Sequence, residues 1–138
     1  MFDRAILASI VLTFLSNNAS PQEVLSVAEI AELPKARLNN TEAFGERLIG
    51  NYPMTTIRQD VRGTVTILVR VTTQGRAVDC EVLKSSSNAI IDQWACRGTV
   101  RYARFDIVLN EQGKPIQGHW SKTFTLTIGD PGAADLER

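Results

Sequence analysis

The sequence predicts one α+β domain. Two segments that alternate apolar and polar residues lie close together, "GTVTILVRV" and "AVDCEVLK", and a last one, "HWSKTFTLTI", stands near the end. Between them "AIIDQWACR" carries apolar residues at helical spacing. Period two marks a half-buried strand, and a period near 3.6 marks an amphipathic helix. At 138 residues, 43% of them hydrophobic, the chain has room for one domain with a modest core and short appendages.

The N-terminus opens on an apolar run, Ala5 to Leu15, behind Arg4. A bilayer-spanning helix takes about 20 apolar residues, so this run is too short. Its length and position suit the core of a secretory signal, with cleavage after Ala19. Residues 1–19 are therefore expected to be a signal peptide that sends the chain to the periplasm. Residues 20–44 read as an N-terminal arm or linker, 45–129 as the folded domain, and 130–138 as a polar tail.

Within the arm and the start of the domain, Val24, Val27, Ala28, Ala31, Phe44, Leu48 and Ile49 recur at helical spacing, and Pro34 divides two short helices. Asn40 or Thr41 offers a cap, and "GNYP" stops the second helix. In "GTVTILVRV", Val65, Ile67, Val69 and Val71 share one face, and Thr64, Thr66 and Arg70 the other. Leu68 is the exception on the polar side. "TTQGR" turns the chain through Gly75. The next strand is expected to face Val78, Cys80 and Val82 inward and Asp79 and Glu81 outward.

"SSSN" then caps a helix from about Ala89 to Tyr102, with Ile91, Trp94, Ala95 and Cys96 packed and Asp92, Gln93 and Arg97 outward. Gly98 within it points to close approach of helix and sheet. "NEQGKPIQG" reads as a loop. The last strand sets Trp120, Phe124, Leu126 and Ile128 on one face, with Lys122 interrupting.

Charge excludes one class of partner. Lys+Arg and Asp+Glu both number 15, and no block of like charge breaks the balance. Nucleic-acid binding needs a basic surface, so no nucleic acid is expected. No enzyme is expected either, nor any cofactor or small-molecule substrate. Ser85, Ser86 and Ser87 lie outside a G-x-S-x-G context, His119 reads as a strand residue, and no phosphate-binding glycine motif occurs.

Cys80 and Cys96 are the only cysteines. With the lone His119 they are too few for a structural zinc site, which takes four ligands, so no metal is expected. Their spacing is far wider than the C-x-x-C of a redox site. A strand–loop–helix unit folding back brings the two together. In an exported chain they form a disulfide; in a chain that stays inside they are buried thiols.

The ordered words resemble the C-terminal domain of TonB-family energy transducers. They are "NYPMTTIRQDVRGTVTILVRV", "QGRAVDCEVLKSSSN", "IIDQWACR", "RYARF" and "NEQGKPIQGHWSKTFTLTI". Tyr52, Pro53, Gly63, Val65, Gly75, Arg76, Ser85, Ser86, Asp92, Phe105, Gly113 and Pro115 take the family's places in order, over roughly residues 45 to 128. The paired cysteines look like a subgroup. Thr56 replaces a frequent Ala, and Ile107 sits where a Pro often follows.

The resemblance implies a two-layer fold, a small antiparallel sheet packed against two helices, in the periplasm. It implies a partner: a short peptide of an outer-membrane TonB-dependent receptor, or of another envelope protein, added as a strand. The expected edge is the last strand, His119, Trp120, Ser121, Lys122, Thr123, Phe124, Thr125 and Leu126; Tyr52 and Pro53 are expected either to border a peptide groove or to serve core packing alone. The family's membrane anchor and proline-rich spacer have no counterpart in these words, so a stand-alone module linked to TonB-dependent transport is expected. The alternative is an envelope assembly protein that pairs with a second copy of itself through the same strand.

Overall fold

The computed structural model describes residues 24–58 and 62–126. The expected signal peptide, the polar tail and Ile128 lie outside them. The elements in order are α1 (Val27–Glu32), α2 (Thr41–Gly50), α3 (Met54–Arg58), β1 (Gly63–Val71), β2 (Ala77–Lys84), α4 (Ala89–Tyr102), β3 (Val108–Leu109), β4 (Pro115–Ile116) and β5 (Gly118–Leu126). β1, β2 and β5 form an antiparallel sheet in the order β2-β1-β5, and β3 and β4 form a small hairpin where a loop was expected. This is an α+β fold.

Alternation in β1 sets the layers. Val65, Ile67, Val69 and Val71 are wholly buried and face α2 and α4, where they join Phe44, Leu48, Ile91, Trp94, Ala95, Phe105, Phe124 and Leu126 in the main core. Two sets of edge-to-face rings fill it. Trp120 stands between Phe44 and Phe105, with centroids 6.2 and 5.6 Å away. Trp94 stands between Tyr52 and Phe124, at 5.0 and 5.9 Å. Such pairs contribute roughly 0.5–1.5 kcal/mol each beyond the area they bury.

Leu68 faces the other way and is still only 2% exposed. Its cover comes from the N-terminal arm. α1 packs on β1 and β5, and Ile30, 1% exposed, is buried with Leu68 outside the main core cluster. The helical spacing had singled out Val24, Val27, Ala28 and Ala31, but all of these are exposed. α1 is held at its start by a capping box, in which the Glu29 N–H donates to Ser26 Oγ and the Ser26 N–H to Glu29 Oε2.

Gly98 allows an approach between helices rather than between helix and sheet: a Cβ there would strike Leu48 of α2. Asn40 ties the same two helices at their other end. Its side chain donates to the Tyr102 carbonyl at 2.8 Å and accepts from the Arg104 N–H at 2.9 Å, instead of capping α2.

Candidate functional site

The sheet has two outer edges, and β2 is the irregular one. Its register against β1 shifts between Thr66 and Ile67 and again between Leu68 and Arg70. Asp79 sits at the second shift with φ +50°, which a non-glycine residue rarely adopts. Arg70 holds it there, its Nε and Nη2 lying 2.7 and 2.6 Å from Asp79 Oδ2. The bulge corrects one expectation. Val78 pairs with Arg70 and so lies on the face away from the core, while Cys80 and Val82 keep the inward side.

Cys80 and Cys96 form a disulfide, with Cα atoms 5.6 Å apart, that fastens the bulged strand to α4. A second tie lies where β2 ends. Asp92, expected to point to solvent, instead accepts from the Ser86 N–H at 2.9 Å, from the Ser86 hydroxyl at 2.6 Å and from the Ser85 hydroxyl. Partial burial pushes this carboxyl up, but the hydrogen bonds from Ser85 and Ser86 outweigh it and hold it below the ordinary carboxylate range.

β5 is regular. Its register to β1 runs unbroken from Gly63–Leu126 to Val71–Gly118. Side chains alternate: Trp120, Phe124 and Leu126 enter the core, Lys122 breaks their row and stays half-buried, and Ser121, Thr123 and Thr125 are exposed on the opposite face. Ser121 Oγ donates to the Ile67 carbonyl at 2.9 Å, and the Thr66 and Thr123 hydroxyls meet at 2.8 Å.

His119 tells which backbone groups look outward. Its N–H donates to the Pro34 carbonyl, and its carbonyl accepts from the Ala36 N–H, both at 2.8 Å. His119 therefore turns its backbone away from β1, and in an antiparallel ladder the same holds for every second residue. Ser121, Thr123 and Thr125 point their N–H and C=O groups outward with it, while Trp120, Lys122, Phe124 and Leu126 bond to β1. Among the described residues nothing pairs with the outward groups of Ser121, Thr123 and Thr125.

The expected edge is thus shortened at one end. His119 is occupied by the segment Pro34–Ala36, which lies along it as a parallel bridge at Lys35. Its ring Nδ1 also meets the Leu33 carbonyl. Gly118 makes room for this strap, since a Cβ there would come within 2.8 Å of the Pro34 carbonyl. The glycine before His-Trp was the sequence signal for the strap. Main-chain pairing leaves no other pattern.

Tyr52 is half-buried against Trp94 of α4, and the rings lead through Trp94 to Phe124 in β5. Trp94 donates its indole N–H to the Leu48 carbonyl at 2.9 Å. Pro53 starts the turn into α3, where its carbonyl accepts from the Thr56 N–H and hydroxyl. Among the described residues no group of three or more His, Cys, Asp or Glu could hold a metal ion, and no helix is long and apolar enough to cross a membrane.

Sheet, helices and edge together define a small α+β domain with one bulged edge and one open, regular edge. Residues 50–126 match the family model described as Gram-negative bacterial TonB protein C-terminal. This chain belongs to that family, and with it comes a TonB-like role in envelope transport. It is similar to a solution NMR structure of the Pseudomonas aeruginosa TonB C-terminal domain, at 25% identity and a TM-score of 0.48, over 57% of this chain and 78% of that one. No curated protein matches it.

Proposed function

We propose that this domain is a periplasmic binding module that takes an extended segment of an outer-membrane TonB-dependent receptor as an added strand on β5. The observation that carries this reading is the outward row of backbone groups at Ser121, Thr123 and Thr125, regular in register and with no charge on those three residues, Lys122 between them lying on the core-facing side. An open, flat edge is an aggregation hazard unless a partner uses it, and strand addition gives affinity through the main chain. The neighbouring strap ends the site at His119. Family membership supports an envelope partner. Residues 1–19 serve as the export signal in this reading, and the domain expected over 45–129 also takes in part of the stretch before it, since Ile30, Ala36 and Phe44 are buried against it.

Proline substitution tests the edge. The outward N–H groups of Thr123 and Thr125 take no part in the ladder to β1, so Thr123→Pro and Thr125→Pro remove a donor from the open edge and leave the sheet paired. Each variant should keep its circular dichroism and lose binding to a synthetic receptor-box peptide, by about tenfold or more for each lost main-chain bond of roughly 1.5 kcal/mol. Thr125→Ala should bind as before. Folded proline variants that bind normally would remove β5 as the binding edge.

The same groups would also pair two copies of the chain, as an envelope assembly protein would require. Self-pairing predicts a dimer in sedimentation that both proline variants abolish, and that receptor peptide competes away.

A further inference from the structure

Where α4 ends, the molecule gathers arginines. Arg97 and Arg101 lie one turn apart on the exposed side of α4, and Arg104 follows just past the helix end. Arg76 forms an antiparallel bridge with Arg104, which sets two like charges opposite each other, an arrangement that costs stability. Arg47 reaches in from α2. Its guanidinium carbon and that of Arg101 lie 5.9 and 5.4 Å from the centre of the Tyr102 ring. Among the described residues none of these arginines has a carboxylate in ion-pair contact; Asp106 is taken by Arg37, and Asp79 by Arg70.

A helix C-terminus attracts cations, and Arg104 Nη1 donates to the carbonyls of Arg101 and Ala103 at 3.1 and 2.8 Å. That accounts for Arg101 and Arg104. The same attraction suits Arg47 in the last turn of α2, but it does not account for Arg76 facing Arg104, or for two guanidinium groups converging on the one Tyr102 ring. In a chain of zero net charge, such a collection is a local departure that folding alone does not need.

We propose that this arginine face docks an extended acidic peptide segment of a partner protein. The composition is selective: every cation in it is arginine, while Lys35, Lys84, Lys114 and Lys122 lie on other elements. Arginine is the residue whose planar fork meets a carboxylate with two parallel hydrogen bonds. The spacing fits as well. Residues four apart on a helix rise about 6 Å, and alternate residues of an extended chain repeat every 6.6 Å or so, so carboxylates at every second position can meet Arg97 and Arg101 in turn. The Tyr102 ring holds two of the guanidinium groups in place beforehand through cation–π attraction. An anionic membrane needs no such geometry and responds to net basic charge, which the chain lacks. The site is separate from the β5 edge and does not rest on strand addition.

Nuclear magnetic resonance titration of the full oxidised chain tests it. The probe is a short synthetic peptide alternating Thr and Glu, beside the same peptide with Gln for Glu and vesicles of phosphatidylglycerol. The acidic peptide should shift amides around Arg76, Arg97, Arg101 and Arg104, weaken as salt shortens the Debye length below about 10 Å, and leave Thr123 and Thr125 unmoved. Arg97→Glu combined with Arg101→Glu should weaken the acidic peptide at least tenfold at an unchanged melting temperature, and Arg97→Gln with Arg101→Gln should weaken it less. Equal binding of the Gln peptide, unchanged binding by both double variants, shifts confined to another surface, or binding to vesicles alone would each overturn the proposal.

Discussion

Along β2 the pairing with β1 slips twice and Asp79 bulges out of line, whereas along β5 it runs without a break from Gly63–Leu126 to Val71–Gly118. Charge follows the same division. Asp79, Glu81 and Lys84 mark β2, and the exposed outward residues of β5 are Ser121, Thr123 and Thr125. Bulges and charges are devices that keep a sheet edge from pairing with other chains. β2 carries both, whereas β5 between Ser121 and Thr125 has no bulge, and its single charge, Lys122, is half-buried on the core-facing side rather than among the exposed residues. The two edges also differ in what fastens them. β2 is tied to α4 by the Cys80–Cys96 disulfide and the Asp92 hydrogen bonds, while β5 is held by its ladder and by Trp120, Phe124 and Leu126 in the core. One edge of this domain is bulged, charged and fastened, and the other is regular and, among the described residues, unpaired from Ser121 to Thr125.

Breaking the β2 fastening should produce the largest loss of stability and leave the β5 edge working. Reduction of the disulfide, or Cys80→Ala with Cys96→Ala, frees a loop whose closure is worth about 3 kcal/mol. Denaturant unfolding should show that loss, while receptor-peptide affinity of the folded fraction stays within a factor of two or so of the oxidised chain. A matching fall in affinity would mean that the two edges are coupled.

Gly118→Ala addresses the strap. The added methyl group meets the Pro34 carbonyl at 2.8 Å and Val108 Cγ2 at 2.9 Å, within a buried contact. The expected cost is roughly 1–3 kcal/mol. Hydrogen exchange at the His119 and Ala36 amides should quicken, because both are bonded across the strap. Slow exchange there in the variant would show that Gly118 is not what admits Pro34–Ala36.

Much of this contrast was legible in the residues, and the rest fails for physical reasons. β1 reads correctly because each apolar residue on its inward face is buried by the same layer. Leu68 stood out as an exception, yet nothing local names its cover: Ile30 lies far away in sequence, on a helix whose other apolar residues are exposed. Val78 was misplaced because an αL residue at Asp79 shifts the alternation by one, and that backbone state leaves no mark in the hydrophobic pattern. The outward reading of Asp92 missed the serines folding back onto it. Strand position, by contrast, marked the β5 edge, although only pairing geometry tells which of its residues look outward.

Acid should loosen the β2 side selectively, by a smaller amount. Asp92 is held below the ordinary carboxylate range in the folded domain, so its hydrogen bonds to Ser85 and Ser86 stabilise fully above the unfolded-state value. That contribution is lost as pH falls from there through the lower folded value. Melting temperature measured from pH 6 downward should therefore drop in the acid range, and Asp92→Asn should flatten the drop. An equally steep acid loss in Asp92→Asn would place the sensitivity elsewhere.

Amide hydrogen exchange along β5, residue by residue, tests the open edge most directly. In the free domain the N–H groups of Trp120, Lys122, Phe124 and Leu126 should exchange slowly, and those of Ser121, Thr123 and Thr125 quickly. Bound receptor peptide should slow Ser121, Thr123 and Thr125 in particular. If peptide binds and these amides still exchange as fast as in the free domain, β5 is not the strand that receives the partner.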